Sequence, residues 1–316
     1  MEIIAEGLRF PEGPVAMPDG SVILTEIEAG RITRVSADGG KTTVAETGGG
    51  PNGLALGPDG KLYCANNGGF EWHESQGLLR PGAIAADYSG GRIERINIET
   101  GKVETLYASG DFGCVLRGPN DIVFDDQGGF WFTDHGKINY AERSHDVVGI
   151  FYAKADGSYL EEVIFPSNNP NGIGLSPDGR KLYAAETYTC RLIRFDVTSP
   201  GKVDLTPGLG GLGMPLYHPA GWKYFDSLAV EADGNICVAT LGESGISVIS
   251  PEGDLVEFVA TDDPLTTNIC FGGDDMMDAW ICLSGTGRLA KTRWKRPGLK
   301  LNWSKAPGGD SPPRHS

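Results

Sequence analysis

One pattern, repeated six times in a fixed register, most limits what this chain can fold into. Glu12 opens EGPVAMPDGSVILTE, Asn52 opens NGLALGPDGKLYCAN and Asn120 opens NDIVFDDQGGFWFTD. Asn171 opens NGIGLSPDGRKLYAAE, Asp226 opens DSLAVEADGNICVAT and Asn268 opens NICFGGDDMMDAWIC. Seven positions after each opening residue stands Asp19, Asp59, Gln127, Asp178, Asp233 or Asp275. Glycine follows at 20, 60, 128, 179 and 234, and Met276 takes its place in the sixth copy.

Each copy reads as an apolar strand, an Asp-Gly type turn and a second apolar strand. Further strand pairs follow, as in GRIERINIETGKVETLYA and GIFYAKADGSYLEEVIF, and no long helical periodicity interrupts them. Successive copies lie about 40 to 70 residues apart, the period of propeller blades. The pattern predicts an all-β fold: a six-bladed β-propeller with four-stranded antiparallel blades around a central metal-binding channel. The sixth unit thins out after GRLAKTRW, so MEIIAEG is expected to supply the strand that fastens the ring. Residues 1–303 are expected to form a single domain, with 304–316 as a frayed tail.

The first strand of a propeller blade lines the channel, so the six opening residues should meet at one mouth. They are two carboxylates and four carboxamides, without an apolar member. Glu26, Asn66, Asp134, Glu186 and Thr240, at the ends of the returning strands, should stand behind them as a second tier. A single such residue is best read as a cap on a loop. Six converging copies would leave two acids repelling each other in a low-dielectric space, and a hard cation relieves that. Calcium takes six to eight oxygen ligands, and the absence of His and Cys from the set argues against a dedicated structural zinc site.

The formal charge of −15 argues against nucleic acid or an anionic membrane as partner. No leader-like or membrane-spanning apolar run is present, which predicts a soluble, cytoplasmic protein. The six cysteines lack CxxC spacing, and Cys64, Cys237 and Cys282 lie in strand-like runs, which suits small buried hydrophobes. No GxSxG elbow occurs, and GGKT at 39–42 lacks the first glycine of a phosphate loop.

The six units, and particularly FPEGP, GPNDIVFD, NPNGIGLSPDGRKLYAAET and the Asp226 unit, resemble the senescence-marker protein, gluconolactonase and luciferin-regenerating-enzyme family over residues 8 to about 290. The resemblance implies a six-bladed propeller with one divalent cation near the axis and lactone hydrolysis as the activity. It implies Glu12, Asn120, Asn171 and Asp226 as the metal ligands, with Asp226 also the catalytic base. Asn120 is the position that touches metal or substrate, while Asn52 and Asn268 are tied less firmly to function. Calcium is the expected ion, with zinc, manganese or magnesium as alternatives. Two departures stand out. Sugar lactonases of this family carry an Arg where this chain has Gly118, so a polyol grip is not expected. Ala229 and Cys270 occupy places that hold a second calcium in some relatives, so one metal is expected.

Asp121, beside Asn120, is the reserve base, or else an acid that orients the Asn120 amide. The connections 67–90, 135–149 and 208–224 carry Trp72, His73, His135, Tyr140, Tyr217, His218 and Trp222. Those aromatic and polar groups suit a medium-sized ring with apolar parts, or simply loop packing. Asn52, Asn120, Asn268, His73 and His135 are the candidate substrate contacts, and the expected partner is a small lactone or ester. The competing readings are a metal-dependent phosphotriesterase or arylesterase on the same scaffold, and a non-catalytic calcium-binding propeller.

Overall fold

The protein, seen as a computed structural model, is described over residues 1–208 and 211–304. Its strands form six antiparallel blades. Apart from a three-residue 3-10 turn at Asp111–Gly113, no helix occurs among the described residues. None is therefore long and apolar enough to cross a membrane. The inner strands are Pro11–Ala16, Pro51–Leu56, Pro119–Phe124, Pro170–Leu175, Tyr224–Val230 and Thr266–Gly272. Each packs against its neighbours, and the last meets the first, so the ring is closed.

Burial on both faces explains the unbroken apolar runs. In the second strand of each blade, successive side chains leave opposite faces. Ile23 enters the cluster shared with the second blade while Leu24 enters the one shared with the sixth. Leu62 and Tyr63, Phe130 and Trp131, and Leu182 and Tyr183 divide in the same way. Six apolar clusters result, one at each blade interface. Cys64, Cys237 and Cys282 are free thiols inside them.

The closing strand is Glu2–Ala5, which pairs antiparallel with Arg288–Arg293 as the outermost strand of the sixth blade. The sixth turn keeps the geometry of the others without their glycine. Met276 has φ +58°, against +68° to +96° at the glycines of the other five copies. The terminal segment does more than the sequence suggests. Ala232 N–H donates to Pro297, Leu299 N–H to Val230, Asn302 Nδ2 to Phe124 O and Trp303 Nε1 to Asp125 O. Residues 297–303 thus cross the turn-side mouth of the channel from the fifth blade to the third. Apart from Ser304, the tail expected at 304–316 lies outside the described residues.

Candidate active site

Every inner strand is broken by a bulge at the opening residue or beside it. Register slips between Glu12 and Val15, Pro51 and Leu54, Pro119 and Ile122, Pro170 and Ile173, Phe225 and Leu228, and Thr266 and Asn268. A bulge sets two residues against one and re-aims a side chain that strict alternation would send elsewhere. The residue after the opening one then faces a crowded axis. A Cβ on Gly13, at φ +49°, would lie 2.3 Å from Asn52 O, and one on Gly172 would lie 2.7 Å from Asp226 O. Only Asp121, Ser227 and Ile269 carry side chains at that position.

Three acids meet in this space. Glu12 Oε2 accepts from Asn268 Nδ2 at 2.7 Å and from Gly13 N–H at 2.9 Å. Burial raises its pKa above the ordinary carboxylate range. Asp226 is raised well above that range, by burial first and then by the Glu12 charge, while the Asn171 amide works in the opposite direction. Asp121 is pushed up to about 7, again by burial first, with Glu12 adding to it and the Ile122 N–H opposing. Asn171 is held from two sides: its Nδ2 donates to Thr187 Oγ1 at 3.2 Å and its Oδ1 accepts from Ser227 Oγ at 3.4 Å.

These acids act on one another, and among the described residues the leading influences on them include no cation. The Asn120 Oδ1 is buried without a hydrogen-bond partner. Such a group is costly unless something outside the chain satisfies it. The donor atoms are all oxygens, so the residues present fit a hard divalent cation. Among the described residues no three His, Cys, Asp or Glu side chains could hold an ion by themselves. A coordination shell here has to draw on the carboxamides.

Asn52 is buried in the same ring, and its carbonyl accepts from Thr25 Oγ1 at 2.8 Å. Asn268 reaches the acids as the donor that fixes Glu12. His135 is half-buried, and its ring centroid is 5.8 Å from that of Tyr188, which is in electrostatic reach of Asp226. His73 is not brought to the acids. It is exposed on the hairpin Phe70–Ser75 and Leu78–Ile84, where alternation turns Phe70 and Trp72 inward and Glu71 and His73 outward. Trp72 packs on Phe10 with centroids 5.1 Å apart.

The second tier has a different job from the one expected. Glu26 accepts from Arg9 N–H, Asn66 from Gly50, Asp134 from Arg117 and Gly118, and Glu186 from Asn168. Each of these four side chains pins the loop that leads its own blade's chain into the inner strand, and so fixes where the opening residue starts, whereas Thr240 bonds Val238 O and Ser247 Oγ within its own sheet. Below the acids the channel widens into a cavity of about 650 Å³, reaching from Asp121 and Asn268 to the turn residues Asp19 and Gly20, where Leu301 and Asn302 cross.

Fold and site together define a six-bladed propeller with acids and amides gathered at one end of its axis. Residues 10–285 match the SMP-30/gluconolactonase/LRE-like region, and the chain belongs to that family. It is 31% identical to the lactonase drp35 of Staphylococcus haemolyticus over 255 residues, 80% of this chain and 70% of that protein. Identity to the gluconolactonase of Zymomonas mobilis is 25% over 304 residues, 86% of this chain and 76% of that one. The fold is similar to that of a calcium-binding protein, regucalcin, from Agrobacterium tumefaciens. The TM-score is 0.69 over 95% of this chain and 97% of that one, at 17% identity.

Proposed function

We propose that this chain is a divalent-cation-dependent lactonase, adding water to the carbonyl of a cyclic ester and releasing a hydroxy acid. The observation that carries the reading is the axial ring, where the buried Glu12 and Asp121 and the partly buried Asp226 act on one another with no cation among the described residues to offset them. Relatives named lactonase and gluconolactonase support the choice of cyclic ester. Glu12, Asn171 and Asp226 would hold the ion, with Asn120 offering its unpartnered amide oxygen; calcium is the first choice for such a set. When bound, the cation polarises the ester carbonyl and offsets the charge that builds on its oxygen.

Asp226 takes the proton from the attacking water and returns it to the ring oxygen as the acyl C–O bond breaks. Its position supports this role over Asp121. Asp226 is partly exposed at the mouth beside Tyr188, whereas Asp121 is buried and spends its oxygens on the Ile122 and Ile173 amides and on Ser227. Asp121 then serves to hold the ring together. Asn268 keeps the Glu12 carboxylate aimed inward.

A panel of lactones followed with a pH indicator, with and without chelator, tests the reading. Turnover should vanish with EDTA and return with calcium. A protein that binds calcium yet hydrolyses no lactone or ester would overturn it.

A further inference from the structure

Lys137 is a buried cation in a chain of formal charge −15, and among the described residues no acid is in ion-pair contact with it, Asp134 and Asp146 acting only from further off. It is 5% exposed. The other half-buried cations near the ring each have an acid: Arg31 has Glu26, Arg92 has Glu94, and Arg191 has Glu186. The Lys137 ammonium instead donates to two neutral oxygens, Asn67 Oδ1 at 3.2 Å and Gly69 O at 2.9 Å. It lies 3.6 Å from the centroid of the Phe70 ring. Burial lowers its pKa to about 7, against the pull of Asp134 and Asp146. A buried charge left this way is costly unless a ligand supplies what the chain does not.

The surroundings point the same way. Asn67 is 2% exposed and its Nδ2 is buried with no acceptor. Its Oδ1 is already taken by Lys137 and by Gly69 N–H. His135, close enough to feel the Lys137 charge, has a buried Nδ1 with no partner. Lys137 follows the end of the third blade's second strand and reaches back to Asn67 of the second blade. A Cβ on Gly50, two residues before Asn52, would lie 2.3 Å from Asn67 Oδ1. A Cβ on Gly118, two residues before Asn120, would lie 2.8 Å from Gly136 O. Asn67, and Gly136 next to Lys137, therefore lie against the loops that lead into Asn52 and Asn120, at the acid-bearing end of the channel.

We propose that Lys137 and the Asn67 amide form a subsite for a carboxylate carried by the lactone ring. The inference rests on the lactonase reading and names the substrate class within it. An ammonium and an amide N–H₂ together supply the charge-assisted donors a carboxylate accepts, and Phe70 walls one side.

The test compares a γ-lactone bearing a ring carboxylate with its methyl ester. Wild-type kcat/KM should favour the acid at least tenfold, and that ratio should fall about tenfold or more in Lys137→Met, which keeps the apolar stem on Phe70. An unchanged ratio in a variant that turns over both compounds would overturn the subsite and leave the lactonase reading standing. Should the variant fail to fold, inhibition of wild-type methyl-ester turnover decides. Tetrahydrofuran-2-carboxylate should inhibit at least tenfold better than its carboxamide, and equal inhibition would overturn the subsite. If no lactone of any kind is hydrolysed, the lactonase reading fails and the subsite falls with it.

Discussion

Asp226→Asn is expected to cut lactone turnover by roughly 10³-fold or more, the range for loss of a general base, and to weaken calcium binding in a direct titration. The substitution keeps the size and one oxygen of the side chain, so the bulge that presents residue 226 is retained. What goes is the charge that would face the ion and the group that would take the proton. Stability is expected to move in the opposite direction. Asp226 is raised well above the ordinary range because its ionised form is buried against Glu12, and a neutral amide avoids that repulsion. The metal-free variant should therefore melt no lower than metal-free wild type. Wild-type turnover by Asp226→Asn would remove it from the mechanism, and a large drop in melting temperature would mean the activity loss says nothing about chemistry.

The second large effect is in how stability depends on pH and metal. Asp121 at about 7 and Asp134 at about 6 both lie above their ordinary value of 3.8, chiefly because of burial. Between the ordinary and the raised values the folded chain holds protons that the unfolded chain has released. Stability is therefore greatest at or below about pH 4 as far as these groups are concerned, and falls as pH rises through 6 and 7. For Asp121 the span corresponds to roughly 4 kcal/mol and for Asp134 to roughly 3 kcal/mol. Calcium should recover the axial share by binding Glu12 and Asp226 and offsetting the charge that acts on Asp121, and not the share of Asp134, on which no axial acid acts. Thermal unfolding in EDTA and in calcium, from pH 5 to 8, should show curves that separate as pH rises. Curves that stay parallel, or an EDTA curve that climbs with pH, would contradict this account of the acids.

The ring of blades was legible because the spacing inside each copy is exact: an apolar strand, a turn seven positions after the opening residue and an apolar return strand leave few other folds. Even the missing sixth glycine misled little, since Met276 adopts the same positive φ. The closing strand could be foreseen from the thin last unit. The bulges were not legible. Alternation would send Asn120 and Asp121 to opposite faces, and only the slipped register between Pro119 and Ile122 changes this; the small residues Gly13, Gly53 and Gly172 were the available signal. His73 shows the converse, because a hairpin's alternation cannot be phased from sequence without knowing which face is covered. The partners of Lys137 come from another blade, so nothing local in DHGK marks it. Residues 297–303 carry no repeat, and they are held by backbone bonds at Pro297 and Leu299 and by side-chain bonds from Asn302 and Trp303 to backbone carbonyls, none of which leaves a pattern.

The central claim is that the opening residues of the blades gather around one divalent ion. A crystal grown with manganese in place of calcium, measured for anomalous scattering at the manganese edge, tests it most directly. The account predicts a single strong peak per chain on the axis, within bonding distance of carboxylate or amide oxygens of Glu12, Asn171 and Asp226. An axis without a peak, or a peak bound elsewhere on the chain, would contradict it.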